Sequence, residues 1–437
     1  MQENFMETIF ASSNQFVSAI KVVRISGARA KDIPKIFKFK KTKAKTFQIR
    51  SIKHNGKVID KAPVVWIPGP NSYTGEDMFE LYIHGSTALE KLIYNLLLKE
   101  KRFKIAEKGE FTKRALLNGK LDLVQAEAIN DLVNSETQKQ LELANSHVEG
   151  GLTNCVFNWR QQLIKLSANL EALIDFSDEE IPKNLELIFL KNVNYLILEL
   201  KQKIEFSSFS TTLKNGFNVL IIGKPNVGKS SLMNAIIDQE VSIVTDIPGT
   251  TRDVIEKKID LNGYPVYFSD TAGVRNTSSK IEKEGIKKTK KKMLESDIIL
   301  NLSDDGSFHM PLINKKNLNV INVHSKEDLN KTIFKNENIS ISVKKRKGID
   351  ELLKMIFKML KKTEPKESVL LTNKRQINMT KEVLKALKRV KRLSVKNETE
   401  LVAEELRLAI SYVSSITSVV DVEDILDNIF SNFCIGK

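Results

Sequence analysis

With 437 residues, of which 41% are hydrophobic, the chain is long enough for two or three domains that each bury their own core. No run approaches the ~20 apolar residues of a membrane span. Residues 1–10 include acidic side chains and no long apolar stretch, which argues against a secretory signal. The only two cysteines, Cys155 and Cys434, exclude a disulfide framework and a cysteine-spaced metal site, so a reducing, cytoplasmic setting is expected.

Residues 18–25, 47–53 and 63–67 read as strands, 78–83 resumes one, and 87–99 has helical spacing, which makes the first 118 residues mixed α/β. Between them Pro68-Gly69-Pro70-Asn71-Ser72-Tyr73-Thr74-Gly75 carries two prolines and two glycines and cannot be helix interior. From 120 to about 209 the pattern turns helical. Val156, Trp159, Leu163, Leu166, Leu170 and Leu173 step by three and four along one stripe, as do Val193, Leu196, Ile197, Leu200 and Ile204. Such stripes are the core faces of a bundle rather than a cofactor slot.

A different grammar begins at 217. A predicted strand, 217–222, runs into Gly223-Lys224-Pro225-Asn226-Val227-Gly228-Lys229-Ser230 and then a predicted helix, 231–237. Two glycines permit the tight turn that aims backbone N–H groups at a triphosphate, and the helix N-terminus adds to that attraction. Asn226, Val227, Gly228, Lys229, Ser230 and Ser231 form this phosphate loop, with Lys229 reaching the β- and γ-phosphates and the Ser230 hydroxyl available to magnesium. The hydroxyl-rich loop Thr245-Asp246-Ile247-Pro248-Gly249-Thr250-Thr251 follows, with Thr250 and Thr251 as candidate γ-phosphate sensors. Strands at 255–259 and 266–269 lead to Asp270-Thr271-Ala272-Gly273. There Asp270 would hold magnesium through water and Gly273 would let a backbone N–H approach the γ-phosphate.

Together these parts make a GTPase-type switch apparatus. The guanine-reading loop is expected after the next apolar strand, taken as 318–323, where Ser325-Lys326-Glu327-Asp328 stands. Asp328 would accept both guanine N–H groups and thereby reject adenine. Ser325 replaces the usual asparagine, so one orienting amide is missing. Ser342, after a strand at 339–341, fits the last base-contacting loop. Val274 stands where many relatives place a water-orienting glutamine, so the hydrolytic group must come from elsewhere, and Glu282 and Glu284 lie just beyond. No arginine finger can be assigned, so transition-state charge must come from a metal ion, a partner chain or Lys229 alone.

Helical periodicity returns at about 372–391 and again over Leu401, Val402, Leu406, Ala409, Ile410 and Val413. The nucleotide module between roughly 214 and 364 therefore reads as an insertion into a helical bundle. The net charge of +15 suggests a polyanionic partner, with lysines concentrated at 35–45, 287–292, 344–347 and 381–392, although any one such cluster is also what a solvated face carries.

An ordered set of segments resembles one family, the tRNA-modification GTPases called MnmE or TrmE. They are residues 68–76 continuing to Glu80 and His84, Gly109-Glu110-Phe111-Thr112 with Arg114-Ala115, and residues 117–123 with Gln125-Ala126-Glu127-Ala128-Ile129. Next come Ile174-Asp175-Phe176 with Asp178-Glu179-Glu180, and last the terminal Phe433-Cys434-Ile435-Gly436-Lys437. The resemblance implies an α/β P-loop GTPase domain inserted in an α-helical bundle, preceded by an α+β folate-binding N-terminal domain. The implied domains are 1–119 for tetrahydrofolate binding and dimerisation, 120–213 for the first helical part, 214–364 for the GTPase, and 365–437 for the second helical part with its tail. It further implies a homodimer working with the flavin-dependent MnmG (GidA) in a heterotetramer or larger. That assembly would add a carboxymethylaminomethyl or related group at C5 of the tRNA wobble uridine, with 5-formyl- or methylene-tetrahydrofolate as one-carbon donor and glycine or ammonium as amine.

Matched position by position, the resemblance implies folate contacts at Arg24, Glu80, Lys120 and Lys437. It places potassium at Asn226, Thr245, Ile247 and Thr250, magnesium at Ser230 and Thr251, and the catalytic water on Glu282, with Lys229 and Asp270 completing the catalytic set. Potassium would then stand where an arginine finger stands elsewhere. Cys434 is a candidate participant near the folate. Ser12-Ser13-Asn14-Gln15-Phe16-Val17 departs from the Pro/Gly-rich loop usual before the Arg-Ile-Ser-Gly match. Two rivals predict different outcomes: a ribosome-assembly GTPase binding rRNA, and a folate-dependent one-carbon transferase with a vestigial nucleotide domain. The first would append an RNA module such as a Gly-x-x-Gly helix loop, which is not found. Intact Lys229, Ser230, Thr251 and Asp270 speak against the second.

Overall fold

The first strands assemble by alternation. Val23 and Ile25 of β2 (Ser18–Ser26) and Phe79, Leu81 and Ile83 of β5 (Met78–Gly85) are fully buried, and the residues between them face the other way. With β1 (Thr8–Ser12), β3 (Gln48–His54), β4 (Lys57–Ile67) and β6 (Phe103–Ile105) they form a six-stranded sheet of order β3-β4-β5-β2-β1-β6. Every neighbour is antiparallel except β1 and β6. Short α1 (Ile33–Ile36) contributes Ile33 to the buried face of this sheet, and α2 (Thr87–Leu98) contributes Ile93 and Leu97. The expected strands and helix of this region are present. β4 starts at Lys57, six residues before its predicted start at 63, while β1 and the three-residue β6 are additional, short runs with little pattern to read.

The computed structural model describes residues 7–14, 17–175, 185–239, 256–270, 289–308, 318–329, 339–367, 369–395, 397–418, 430, 433 and 436. The chain divides into two compact units, one of Met1–Asn130, His147–Ile181 and Leu393–Lys437, the other of Asp131–Ser146 and Pro182–Arg392. In the first unit, α3 (Glu110–Leu117) and the start of α4 (Leu123–Val133) follow the sheet. Long α6 (Gly151–Asp175) packs against α11 (Thr399–Thr417). The predicted stripe Val156, Trp159, Leu163, Leu166 and Leu170 is buried, facing an equally buried set that includes Val402, Leu406, Ala409 and Val413. The side chain of Leu173 lies outside the described residues.

In the second unit, α7 (Leu185–Asn215) packs against α10 (Lys374–Val390), with Val193, Leu196, Ile197 and Leu200 buried and Ile204 half-buried. Asn373 and Gln376 close the N-terminus of α10 as a capping box. Between these two mutually packed helices the chain inserts β7 (Phe217–Gly223), α8 (Lys229–Gln239), β8 (Glu256–Leu261), β9 (Tyr264–Asp270), β10 (Ile298–Ser303), β11 (Val320–His324), β12 (Ile339–Ser340) and α9 (Ile349–Lys362). The sheet order is β12-β11-β10-β7-β9-β8, parallel throughout except for the β8–β9 hairpin. The fold is thus an α/β P-loop module spliced between packed helices and preceded by an α+β domain. α5 (Gln138–Val148) braces the end of α7, from which this module leaves, through Gln140, whose amide donates to the Leu213 and Lys214 carbonyls at 3.2 and 2.9 Å.

One expectation needs correction. The strand following Asp270 is β10, not the one at 318–323, which is the next again. β10 is buried at all six positions between β7 and β11, so its polar residues, Asn301 and Ser303, are buried with its apolar ones and mark no solvent face. It follows helical residues 289–295 with only two residues between, and so merges with a helix when read by period alone.

Candidate functional site

Parallel strands release their chain at one edge of the sheet, and β7 is where the strand order turns back on itself, the place where open α/β sheets hold ligands. The phosphate loop leaves β7 there. Gly223 has φ +151° and a Cβ on it would stand 2.5 Å from the Leu302 carbonyl oxygen, so the position admits only glycine. Gly228 has φ +101° with open space around it, so it is required by backbone conformation alone. Asn226, at φ 60°, is exposed on the loop, while Val227 beside it is fully buried.

Lys229 is buried, and its Nζ donates to the carbonyls of Gly223 (3.2 Å) and Lys224 (2.9 Å), which hold the ammonium over the loop's concave side. Ser230 Oγ donates to Asp270 Oδ2 at 2.8 Å. A hydroxyl from the first turn of α8 and a carboxylate from the end of β9 thus present hard oxygen donors side by side, donors of the kind that suit magnesium. Ser231 follows, exposed, in the first turn of α8.

The base loop reaches the same edge from β11. Ser325 is buried, with its Oγ donating to the Val227 carbonyl at 2.7 Å and its backbone N–H to the Ser303 carbonyl at 2.8 Å. Lys326 has φ 58° and pairs through Nζ with Asp304 at 2.8 Å. That hydrogen bond holds the Asp304 carboxyl below the usual carboxylate range. Ser342, buried after β12, donates to Asp328 Oδ1 at 2.6 Å, and this bond likewise holds the Asp328 carboxyl below the usual range, ionised and oriented. The structure therefore brings Gly223 to Ser230, Asp270, Lys326, Asp328 and Ser342 to one edge.

Sequence reasoning missed Asp304 and Asp305. They leave β10, and Asp305 pairs with Lys224 of the phosphate loop at 2.7 Å. Two successive carboxylates after an apolar run were the available signal, hidden because β10 itself was not recognised. Thr245, Asp246, Ile247, Pro248, Gly249, Thr250, Thr251, Thr271, Ala272, Gly273 and Glu282 lie outside the described residues, as do Val274 and Glu284.

A second cluster lies on the face of the first sheet opposite its core. Arg24 and Glu80 are Cα partners on β2 and β5, and Arg24 Nε donates to Glu80 Oε1 at 2.9 Å. Tyr82, two residues along β5 and hence on the same face, donates its hydroxyl to Glu80 Oε2 at 2.7 Å. Burial, followed by this bond to a carboxylate, pushes the Tyr82 phenol up to about 12. The Arg24 guanidinium lies 5.8 Å from the ring centroids of both Tyr73 and Phe111, and Nη1 donates to the Gly436 carbonyl at 3.4 Å. Lys120 does not join this pair. Its Nζ donates to the Pro70 carbonyl at 2.9 Å, in the turn that also carries Tyr73. Tyr73 and Tyr82 were not anticipated, although the two-residue offset of Tyr82 from Glu80 placed it on the same face. Lys437 and Cys434 lie outside the described residues.

Two family models match the chain: the GTP-binding protein TrmE N-terminus over residues 8–120 and the MnmE helical domain over residues 123–434. The tRNA modification GTPase MnmE of Rickettsia rickettsii (strain Sheila Smith) is 38% identical over 448 residues, covering 99% of this chain and 100% of that one. The chain belongs to the MnmE family. A second MnmE, from Wolbachia pipientis subsp. Culex pipiens (strain wPip), is 36% identical over 445 residues with the same coverage. A solved structure of the FeoB G-domain from Methanococcus jannaschii is 22% identical, covers 33% of this chain and 98% of that one, and has a TM-score of 0.24. In MnmE terms the phosphate loop, Asp270 and the base loop belong to the stretch inserted within the helical-domain match, and Arg24 and Glu80 to the N-terminal match. Among the described residues no helix is long and apolar enough to cross a membrane.

Proposed function

We propose that the chain hydrolyses GTP to GDP and phosphate, and that this cycle drives a tRNA-modifying assembly. The observation that carries the reading is the meeting of Lys229, Ser230, Asp270 and Asp328 at one edge of the inserted sheet in an MnmE-family chain. Lys229, held by two loop carbonyls, is placed to exchange them for β- and γ-phosphate oxygens. Ser230 and Asp270 fit magnesium, which when bound neutralises charge between the β- and γ-phosphates. Asp328, oriented by Ser342, accepts the two guanine N–H groups.

Asn226 offers an exposed amide oxygen beside the loop, a donor suited to potassium, with Thr245, Ile247 and Thr250 as its assigned companions and Thr251 as the second magnesium ligand. Potassium held there would supply positive charge in the role an arginine finger plays elsewhere. Glu282 is assigned to position the attacking water. Its replacement by alanine is expected to lower turnover while leaving GTP affinity unchanged.

We assign a reduced-folate site, for 5-formyl- or methylene-tetrahydrofolate, to the Arg24 and Glu80 cluster of the N-terminal domain, residues 1–119. The fit rests on chemistry: a largely desolvated carboxylate for pterin N–H groups, the half-buried Tyr73 ring for stacking, and Lys120 with Lys437 as cations for a glutamate tail. The GTPase occupies 214–364, between helical parts 120–213 and 365–437. Working as a homodimer with the flavin-dependent MnmG in the cytoplasm, the protein would add a carboxymethylaminomethyl or aminomethyl group at C5 of the wobble uridine of certain tRNAs. Nucleoside analysis of tRNA from cells lacking this protein tests the reading: loss of the modified wobble uridine is expected, and its retention would remove the role.

A further inference from the structure

We infer that Ser325 is a strap between the base loop and the phosphate loop, and that this protein consequently reads guanine on its amine edge without engaging ring nitrogen N7. The inference rests on the assignment of Asp328 as guanine reader.

A hydroxyl carries one proton. Ser325 is buried, and its Oγ lies 2.7 Å from the Val227 carbonyl, whereas the next acceptor, the Ser303 carbonyl, is at 3.4 Å. The proton is therefore committed to Val227, the residue between Asn226 and Gly228 at the crest of the phosphate loop. N7 and O6 of guanine are both acceptors. A serine whose only donor is already engaged has nothing to offer them. An asparagine amide carries two donors and could serve the loop and the base at once.

The rest of the base loop is consistent with that division of labour. Ser325 N–H is taken by Ser303, and Lys326 Nζ is drawn to Asp304 at 2.8 Å. The group turned to a donor edge is Asp328, oriented by Ser342 at 2.6 Å. Ser325 therefore acts on affinity through the loops it joins, as a positioning residue, and base choice falls to Asp328.

Titration calorimetry of the full chain with GDP, 7-deaza-GDP and inosine diphosphate tests this. In the wild type GDP and 7-deaza-GDP should bind within about twofold of each other. Inosine diphosphate, lacking the exocyclic amine, should bind about tenfold weaker because one carboxylate oxygen goes unmatched. Ser325→Asn should acquire a preference of about five- to tenfold for GDP over 7-deaza-GDP. Ser325→Ala should weaken both in equal proportion. A wild type that favours GDP over 7-deaza-GDP about tenfold, with inosine diphosphate still weak, would overturn the Ser325 inference alone. So would Ser325→Ala with unchanged affinities. Inosine diphosphate binding as well as GDP would instead remove the reading of Asp328 and the inference with it.

Discussion

The two glycines of the phosphate loop are required for different reasons. Gly223 combines positive φ with a Cβ position 2.5 Å from a backbone oxygen, whereas Gly228 has only the conformational requirement. Gly223→Ala should therefore destabilise the protein by about 1–3 kcal/mol through overpacking and backbone strain together, and Gly228→Ala by less. Urea midpoints of the two variants check the order. Ser230 is different again, since it is exposed and its hydroxyl serves Asp270. Ser230→Ala should leave the unfolding midpoint unchanged and lower GTP turnover by roughly 10²-fold at saturating magnesium, as expected when a charge-stabilising partner is lost.

At the scale of elements, β9 joins two sites of different character. Its last residue, Asp270, faces Ser230. Its first, Tyr264, is fully buried and donates its hydroxyl to Glu364 Oε2 at 2.6 Å just beyond α9. Glu364 also pairs with Lys139 of α5, whose ammonium lies 5.0 Å from the Tyr264 ring centroid. Burial pushes the Glu364 carboxyl up, but the hydrogen bonds from Lys139 and Tyr264 outweigh it and leave the carboxyl below its ordinary value. A depressed carboxyl contributes stability above its unfolded value that disappears as pH falls through the folded one. Glu364→Gln should therefore flatten the acid limb of stability below about pH 4.5, measured as urea midpoints from pH 6 to pH 3. α9 itself is held by Ile349, Leu352, Leu353, Ile356 and Leu360, buried at helical spacing. Ile356→Ala should cost about 2–5 kcal/mol by leaving a cavity against the sheet, read from the same midpoints.

At the scale of the whole molecule, the nucleotide module enters from α7 and leaves toward α10, and those helices pack together. A module anchored at both ends on one helix pair transmits any change in its own shape to that pair. If potassium supplies the missing transition-state charge, exchanging it for sodium should depress GTP turnover by about tenfold or more with GTP affinity little altered, measured by phosphate release. Turnover indifferent to the monovalent ion would place the charge elsewhere.

The strand–loop–helix of the phosphate site was legible in the sequence, because glycines at Gly223 and Gly228 and the Lys229-Ser230 pair act through backbone geometry that local sequence dictates. The helical stripes of α6 and α7 were legible for the same reason, since a 3.6-residue period is a local property. Strand β10 was not, since its six residues follow helical residues 289–295 after only two others, and burial on both faces leaves no solvent-facing side to set its period apart. Nor was the arrangement of Ser325. In the sequence it is an asparagine position with an amide missing. Only the approach of β11 to β7 across β10 sets its hydroxyl against the Val227 carbonyl, 98 residues away, and so decides what that single proton can do. Sequence by itself determined which groups could carry the chemistry; tertiary structure decided which partner each one meets, because a hydrogen bond between distant residues depends on the packing of the strands that carry them.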